Sequence, residues 1–349
     1  MSNQIMVYGA NGYTAQLIIK DLLKLNVKPV LAGRNKNYIE EASNKFNCRY
    51  RIFSVDDESK ILGNLSGIST LLNCAGPFKY TARKLIDACL SAKVNYLDIE
   101  GEVDVLESIR LYDERAKEKG IVILPSVGFD VVPSDCMAKK LSEKMPDATS
   151  IQIGLKNEKG GISRGTWLTT FEMLGVPGKI RKDGKIIDSI IGEKTFSIKQ
   201  NEFKFYGISI PWADVYSAYY STGIPNVEVY MYFPPALSFL RGLSKLLQKI
   251  FSNQSIKKTF SNIVIRSKFG PSKKERENST SIIIEKLSND KGDSITEAYR
   301  FIDGYCLTAS SAANITIKVN NGEVASGVQT PSLAVGSDFM NQYIIEKIL

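Results

Sequence analysis

The sequence predicts an α/β protein in which an N-terminal doubly wound parallel sheet precedes a second, α+β domain. Three observations carry this. Residues 1–135 alternate short apolar runs with helical patterns across short connections, the sequence form of a parallel sheet. The run Ile5-Met-Val-Tyr-Gly-Ala-Asn-Gly-Tyr-Thr-Ala15 reads as a strand, a tight glycine turn and the start of a helix. From about residue 150 the alternation gives way to short strands punctuated by Gly160, Gly161, Pro177, Gly178, Asp183-Gly184 and Pro211. A chain of 349 residues is long enough for two domains with well-buried cores.

The first domain's strands are expected at 4–8, 27–32, 49–53, 69–73, 94–98 and 121–124. Helical patterns fall at 16–25, 36–46, 79–92 and 104–119. In the second domain, expected to be antiparallel, strands fall at 150–156, 194–199, 203–208, 226–233, 280–287 and 294–301. Helices are expected over Leu307–Lys318 and Ser332–Ile348, returning to the first domain. The architecture is therefore a Rossmann domain over 1–148, an α+β substrate domain over 149–303, and C-terminal helices over 304–349.

Ligands of such sheets bind at the carboxyl ends of the strands, which directs attention to the loops there. Gly9 allows the sharp turn after the first strand, Gly12 lets the backbone approach a pyrophosphate, and Ala15 permits close helix packing. With Asn11, Tyr13 and Thr14 they form a candidate dinucleotide loop; without a ligand the same residues are a glycine turn. The second strand ends Gly33-Arg34 where an acidic residue would favour NAD, so the arginine points to the 2′-phosphate of NADP. A surface arginine closing a strand is the plainer alternative.

Cys74-Ala75-Gly76-Pro77-Phe78 follows the fourth strand, where small residues leave room for the nicotinamide ribose. A structural glycine–proline turn would read the same. Cys74 is expected to pack rather than act as a nucleophile. Asp98, Glu100 and Glu102 end the fifth strand, and Asp130 and Asp135 follow the sixth. Glu102 and Asp130 are the candidate acid or base groups; helix capping by Glu102 and Asp135 is the alternative. Tyr80-x-x-x-Lys84 matches a short-chain-dehydrogenase pair but stands one element too early, and Tyr343-x-x-x-Lys347 matches equally well, so the pattern specifies little.

The chain has no histidine, which removes the commonest general base and metal ligand. Its five scattered cysteines lack a Cys-x-x-Cys pair and fit reduced thiols in a cytoplasmic protein without a metal site. The net charge is +8, and residues 241–300 carry thirteen Lys and Arg against six Asp and Glu. No nucleic-acid motif accompanies them. Residues 235–251 form an amphipathic basic helix, with Leu240, Leu243, Leu247 and Ile250 on one face and Arg241, Lys245 and Lys249 away from it. It either packs on its own domain or rests on a membrane surface.

Together these motifs resemble the saccharopine dehydrogenase-like oxidoreductases, including the trans-acting enoyl reductase branch. The carrying segments are Gly9-Ala-Asn-Gly-Tyr-Thr, Ala32-Gly-Arg, Asn73-Cys-Ala-Gly-Pro-Phe, Tyr96-Leu-Asp-Ile-Glu-Gly-Glu and Gly128-Phe-Asp-Val-Val-Pro-Ser-Asp. Ser163-Arg-Gly-Thr-Trp and Gly304-Tyr-Cys-Leu-Thr-Ala extend the likeness beyond the first domain. The resemblance implies NADP as cofactor and places Arg164 and Thr166 at the substrate.

The expectation is an NADPH-dependent oxidoreductase that transfers hydride to an apolar enoyl-type or an imine-type small molecule. The alternative is a non-catalytic NADP-binding sensor or scaffold. Expected partners are the substrate, a homodimer mate and a membrane surface contacted through 235–251, with no nucleic acid.

Overall fold

The computed structural model describes residues 4–168, 176–238, 244–265 and 269–349. The chain divides into two compact units, Met1–Val132 with Tyr305–Gly336, and Pro133–Gly304 with Ser337–Leu349.

The first unit is built on strands β1 (Gln4–Tyr8), β2 (Val30–Gly33), β3 (Tyr50–Ile52), β4 (Ile68–Asn73), β5 (Asn95–Asp98) and β6 (Val122–Leu124). With the short β15 (Gly327–Val328) they form a seven-stranded sheet in the order β15-β6-β5-β4-β1-β2-β3. Every pairing is parallel. Helices cover both faces of such a sheet, which is why β1, β2 and β6 are apolar runs rather than alternating ones. Helix α1 (Tyr13–Lys24) buries Ala15, Ile18, Ile19 and Leu22, the spacing of a single helical stripe. Helix α2 (Lys36–Phe46) starts at Asn35, whose side chain accepts from Tyr38 N, and buries Ile39, Ala42 and Phe46. Strand order reverses direction at β1, between β4 and β2, so the β1 loop opens at the switch point where ligands bind.

The remaining helices of this unit are α3 (Glu58–Asn64), α4 (Ala82–Ala92), α5 (Val103–Arg110) and α6 (Asp113–Lys119). The single helix expected over 104–119 is thus two. The pattern at 79–92 opens with a 3-10 turn, Phe78–Tyr80, before α4.

The second unit holds helix α7 (Val132–Lys144), apart from Val132, and strands β7 (Ser150–Glu158), β8 (Gly178–Lys182), β9 (Lys185–Ser189), β10 (Thr195–Gln200), β11 (Phe203–Ser209), β12 (Asn226–Tyr232), β13 (Thr280–Ser288) and β14 (Ser294–Ile302). The main order is β10-β11-β12-β7-β13-β14-β16, where β16 is Ile344–Lys347. The sheet is mixed rather than wholly antiparallel, because β7 and β12 pair in parallel. A parallel neighbour needs a long crossover, which the chain between them supplies, including helix Asp214–Thr222. Phe196, Phe205, Tyr230, Ile282, Ile284 and Ala298 form its buried core.

Three local readings change. β8 and β9 form a hairpin that the sequence reading marked only as a turn; Asp183 (φ 49°) and Gly184 (φ 77°) are its two left-handed residues. The helix expected over Ser332–Ile348 runs only from Pro331 to Val335 and ends at Gly336 (φ 84°). A 3-10 segment, Ser337–Tyr343, leads into β16, so residues 305–336 lie with the first unit and 337–349 with the second. Of the helix expected over 235–251, residues 235–238 form a 3-10 turn, and Leu240, Arg241 and Leu243 lie outside the described residues. Helices Ser244–Phe251 and Gln254–Ile265 follow.

Candidate active site

The carboxyl ends of β1, β2, β4, β5 and β6 carry most of the residues singled out in the sequence. Gly9 turns at φ 79°, and a Cβ there would stand 2.8 Å from the backbone nitrogen of Ala75. Only glycine lets the β1 and β4 loops come this close, and the contact is tied by Cys74 N donating to Tyr8 O at 2.8 Å. Gly9 N and Ala10 N both donate to Ala32 O, joining the same loop to β2. A Cβ on Gly12 would lie 3.2 Å from Gly9 O. Gly12 is also the N-cap of α1, no side chain caps it, and the first turn has no acidic residue. A bare helix start with a positive dipole end fits an anionic pyrophosphate.

Asn11 stands by Gly33: a Cβ on Gly33 would meet the Ile39 side chain at 2.8 Å and Asn11 Oδ1 at 3.9 Å. Arg34 is exposed beside them. Burial pushes the Tyr8 phenol up, with Arg34 pulling the other way. Hydrogen bonds from Lys84 and Ser54 hold Asp56 below the usual carboxylate range, and Arg34 adds to that pull. Arg34 thus follows the end of β2, exposed and within electrostatic reach of Asp56 after β3, a placement open to a phosphate on the adenosine ribose. Tyr13 and Thr14 form the first turn of α1, both half-buried.

Asn73 organises the β4 loop. Its Oδ1 accepts from Ala75 N at 3.0 Å, and its Nδ2 donates to Thr81 Oγ1 and Tyr96 Oη, each at 3.1 Å. Thr81 Oγ1 donates in turn to Ala75 O at 2.8 Å. The Gly76–Pro77 peptide is cis, and the Phe78 ring lies over Gly76. Burial, with Asp98 nearby, pushes the Cys74 thiol well above its ordinary value, so it stays protonated and packs.

The network continues through buried carboxyls. Tyr96 Oη donates to Asp98 Oδ2 at 2.9 Å, and Asp98 Oδ1 accepts from Glu100 N and Ser126 N. Ser126 is held at φ 60° because its hydroxyl also donates to Glu100 O at 2.7 Å. Glu100 Oε1 accepts from the amides of Gly101 and Glu102, while its buried Oε2 has no hydrogen-bond partner among the described residues. Burial pushes Asp98 and Glu100 above the usual carboxylate range, and their mutual repulsion adds to it at Glu100.

Asp130 joins this cluster from the β6 loop: a Cβ on Gly101 would stand 3.2 Å from Asp130 Oδ2. Burial pushes Asp130 up to about 6. Glu102 occupies the N-cap position of α5 without a side-chain capping bond. Asp135 lies in the first turn of α7 and accepts from Ser221 Oγ at 2.5 Å, within the second unit. Arg164 and Thr166 also belong to the second unit. Arg164 lies over the Phe269 ring at 5.1 Å, and Thr166 N donates to Ser163 Oγ.

The sequence reading did not single out Tyr305 and Thr308, on helix Gly304–Asn320. Tyr305 meets the Tyr13 ring edge-on at 5.2 Å, and Thr308 Oγ1 accepts from Phe129 N at 2.9 Å. Their only sequence signal is the motif Gly304-Tyr-Cys-Leu-Thr-Ala, which says nothing of where the helix docks.

Comparison with known proteins agrees with this geometry. Residues 5–124 match the family model of the saccharopine dehydrogenase NADP binding domain. The human saccharopine dehydrogenase-like oxidoreductase is 27% identical over 203 residues, 51% of this chain and 47% of that protein. A Mycobacterium tuberculosis protein provisionally named a trans-acting enoyl reductase is 27% identical over 183 residues, 49% of this chain and 44% of that protein. The chain thus spans about half the length of the curated relatives it matches. The solved apo saccharopine dehydrogenase (L-Glu forming) of Saccharomyces cerevisiae aligns over 99% of this chain and 100% of its own, with a TM-score of 0.64 at 12% identity, a likeness of fold. Residues 5–124 thus match an NADP-binding domain model, and about half of the chain is similar to saccharopine dehydrogenase-like oxidoreductases.

Proposed function

We propose that the protein is an NADPH-dependent oxidoreductase that delivers hydride to the carbon of a C=N bond in a small, cationic imine. When bound, NADPH supplies the hydride. Gly9, Gly12, Asn11, Tyr13 and Thr14 hold its pyrophosphate side, Gly33 and Arg34 its phosphorylated ribose, and Cys74 to Phe78 border the nicotinamide ribose. The observation that carries the substrate class is the set of carboxyls at the β5 and β6 loops, with Asp130 against Gly101.

A protonated imine accepts hydride more readily than a neutral one, and its positive charge needs a negative neighbour. At an effective dielectric constant of about 20, a carboxylate about 4 Å away contributes about 4 kcal/mol. Asp130, pushed up to about 6, can give a proton to the imine nitrogen and then carry the charge that balances it. The Asn73–Tyr96–Asp98 chain fixes the loops in place. Cys74 excludes water without reacting.

The enoyl reading is supported by the Mycobacterium tuberculosis relative's name and by apolar side chains exposed on helix Ser244–Phe251, Leu246 and Ile250. That same face supports peripheral contact with an anionic membrane, since residues 229–274 contain no Asp or Glu. The test offers purified protein NADPH with a panel of imino acids and cyclic imines and a parallel panel of enoyl thioesters. Oxidation of NADPH with imines alone supports the proposal. Turnover with enoyl thioesters alone replaces the substrate class, and tight NADPH binding without any turnover favours a sensor.

A further inference from the structure

Helix Gly304–Asn320 enters the first unit from far downstream, and its placement is fixed at both ends. At its far end Asn320 Oδ1 accepts from Ser69 Oγ at 2.6 Å, near the amino end of β4. At its beginning Thr308 Oγ1 accepts from Phe129 N, and Ser311 Oγ donates to Val127 O at 2.8 Å, both in the loop after β6. Gly128 is a glycine because of this approach: a Cβ there would stand 2.9 Å from Thr308 Cγ2. The helix therefore runs along the sheet, and its first turn reaches the carboxyl edge where ligands bind.

Tyr305 extends that first turn to the first turn of α1, meeting Tyr13 edge-on at 5.2 Å. In the sheet, β5 and β4 lie between β6 and β1. A helix start that touches the β6 loop through Thr308 and the first turn of α1 through Tyr305 spans the interval those two strands occupy in the sheet order. With the pyrophosphate on Gly12 and the adenosine ribose toward Arg34 on the β2 side, the other half of a dinucleotide falls on the β4 and β5 side.

We propose that Tyr305, braced by Tyr13, is the wall on which the nicotinamide ring of NADP rests. The proposal rests on the NADP reading of the glycine loop. An aromatic contact of this kind is worth about tenfold in affinity.

The test is direct binding rather than turnover. NADPH and 2′-phospho-ADP-ribose, which lacks the nicotinamide, are titrated against the parent protein, Tyr305→Ala and Tyr305→Phe. Tyr305→Ala should bind NADPH about tenfold more weakly and 2′-phospho-ADP-ribose as the parent does, which also shows that the variant is folded. Tyr305→Phe should bind both as the parent does. Unchanged NADPH affinity in Tyr305→Ala overturns the proposal and leaves the glycine-loop reading intact. Equal loss of both ligands also overturns it, by assigning Tyr305 to the scaffold. A parent protein that binds neither ligand removes the NADP reading and the proposal with it.

Discussion

Replacing Asp130 by asparagine should make the protein more stable at neutral pH while stopping its chemistry. Burial raises the Asp130 carboxyl from its ordinary 3.8 to about 6. That rise of about two units corresponds to about 3 kcal/mol, an upper figure for a side chain that is partly exposed. The native state binds this proton more tightly than the unfolded chain does. Stability is therefore fully present below the unfolded value and is lost as pH climbs through the interval from about 4 to about 6. Asparagine has nearly the same shape and cannot ionise, so it fits against Gly101 without that loss. Urea denaturation of both proteins from pH about 4 to about 8 reads the difference. The variant should match the parent at the acid end and exceed it by up to about 3 kcal/mol at pH 7. A gap independent of pH, or a variant less stable than the parent at pH 7, would refute the reasoning. The same variant should lose about 100-fold or more in turnover if Asp130 transfers the proton.

Gly9→Ala should abolish NADPH binding without unfolding the protein. A left-handed alanine costs about 1–2 kcal/mol, and its methyl would press on the Ala75 backbone and part the two loops; an unchanged dissociation constant would contradict this. Glu285 is fully buried in the second unit, with neither carboxyl oxygen hydrogen-bonded among the described residues. Burial, then the carboxyls of Asp214, Asp135 and Glu297, push its pKa well up, so the parent should lose stability as pH rises above the ordinary carboxylate range. Glu285→Gln should flatten that decline in thermal melts at about pH 5 and about pH 8, and a parallel decline in both proteins would rule the explanation out. Leu246 and Ile250 are 53% and 37% exposed. Sedimentation with anionic vesicles should carry the parent down at low salt and leave the Leu246→Glu, Ile250→Glu double variant in solution; parent protein that stays in the supernatant would end the membrane reading.

The parallel sheet was legible because its signals are local. β1, α1 and α2 lie within a residue or a few of where apolar periodicity and caps place them, and the glycine loop announces its own turn. What the sequence could not show depends on pairing across distance. β16 looks helical from Tyr343 to Lys347 until β14 offers it an edge. At the site, the sequence singles out Glu102 from its neighbours Asp98 and Glu100 but shows none of their surroundings. Their environments separate them: Asp98 is tied to Tyr96 and Ser126, Glu100 is sealed with one bare oxygen, and Glu102 starts a helix. Tyr305 went unnoticed for the same reason, since only the docked helix brings it to Tyr13.

NADP held by the first unit as proposed would meet Arg34 at its 2′-phosphate and the β1 loop at its pyrophosphate. The most direct test is a titration of parent and Arg34→Ala proteins with NADPH and with NADH. A charge-assisted contact to the 2′-phosphate is worth about 1.5–3 kcal/mol, so the variant should lose about tenfold to 100-fold in NADPH affinity and almost none for NADH. Equal losses for the two cofactors, or a parent protein that prefers NADH, would contradict it.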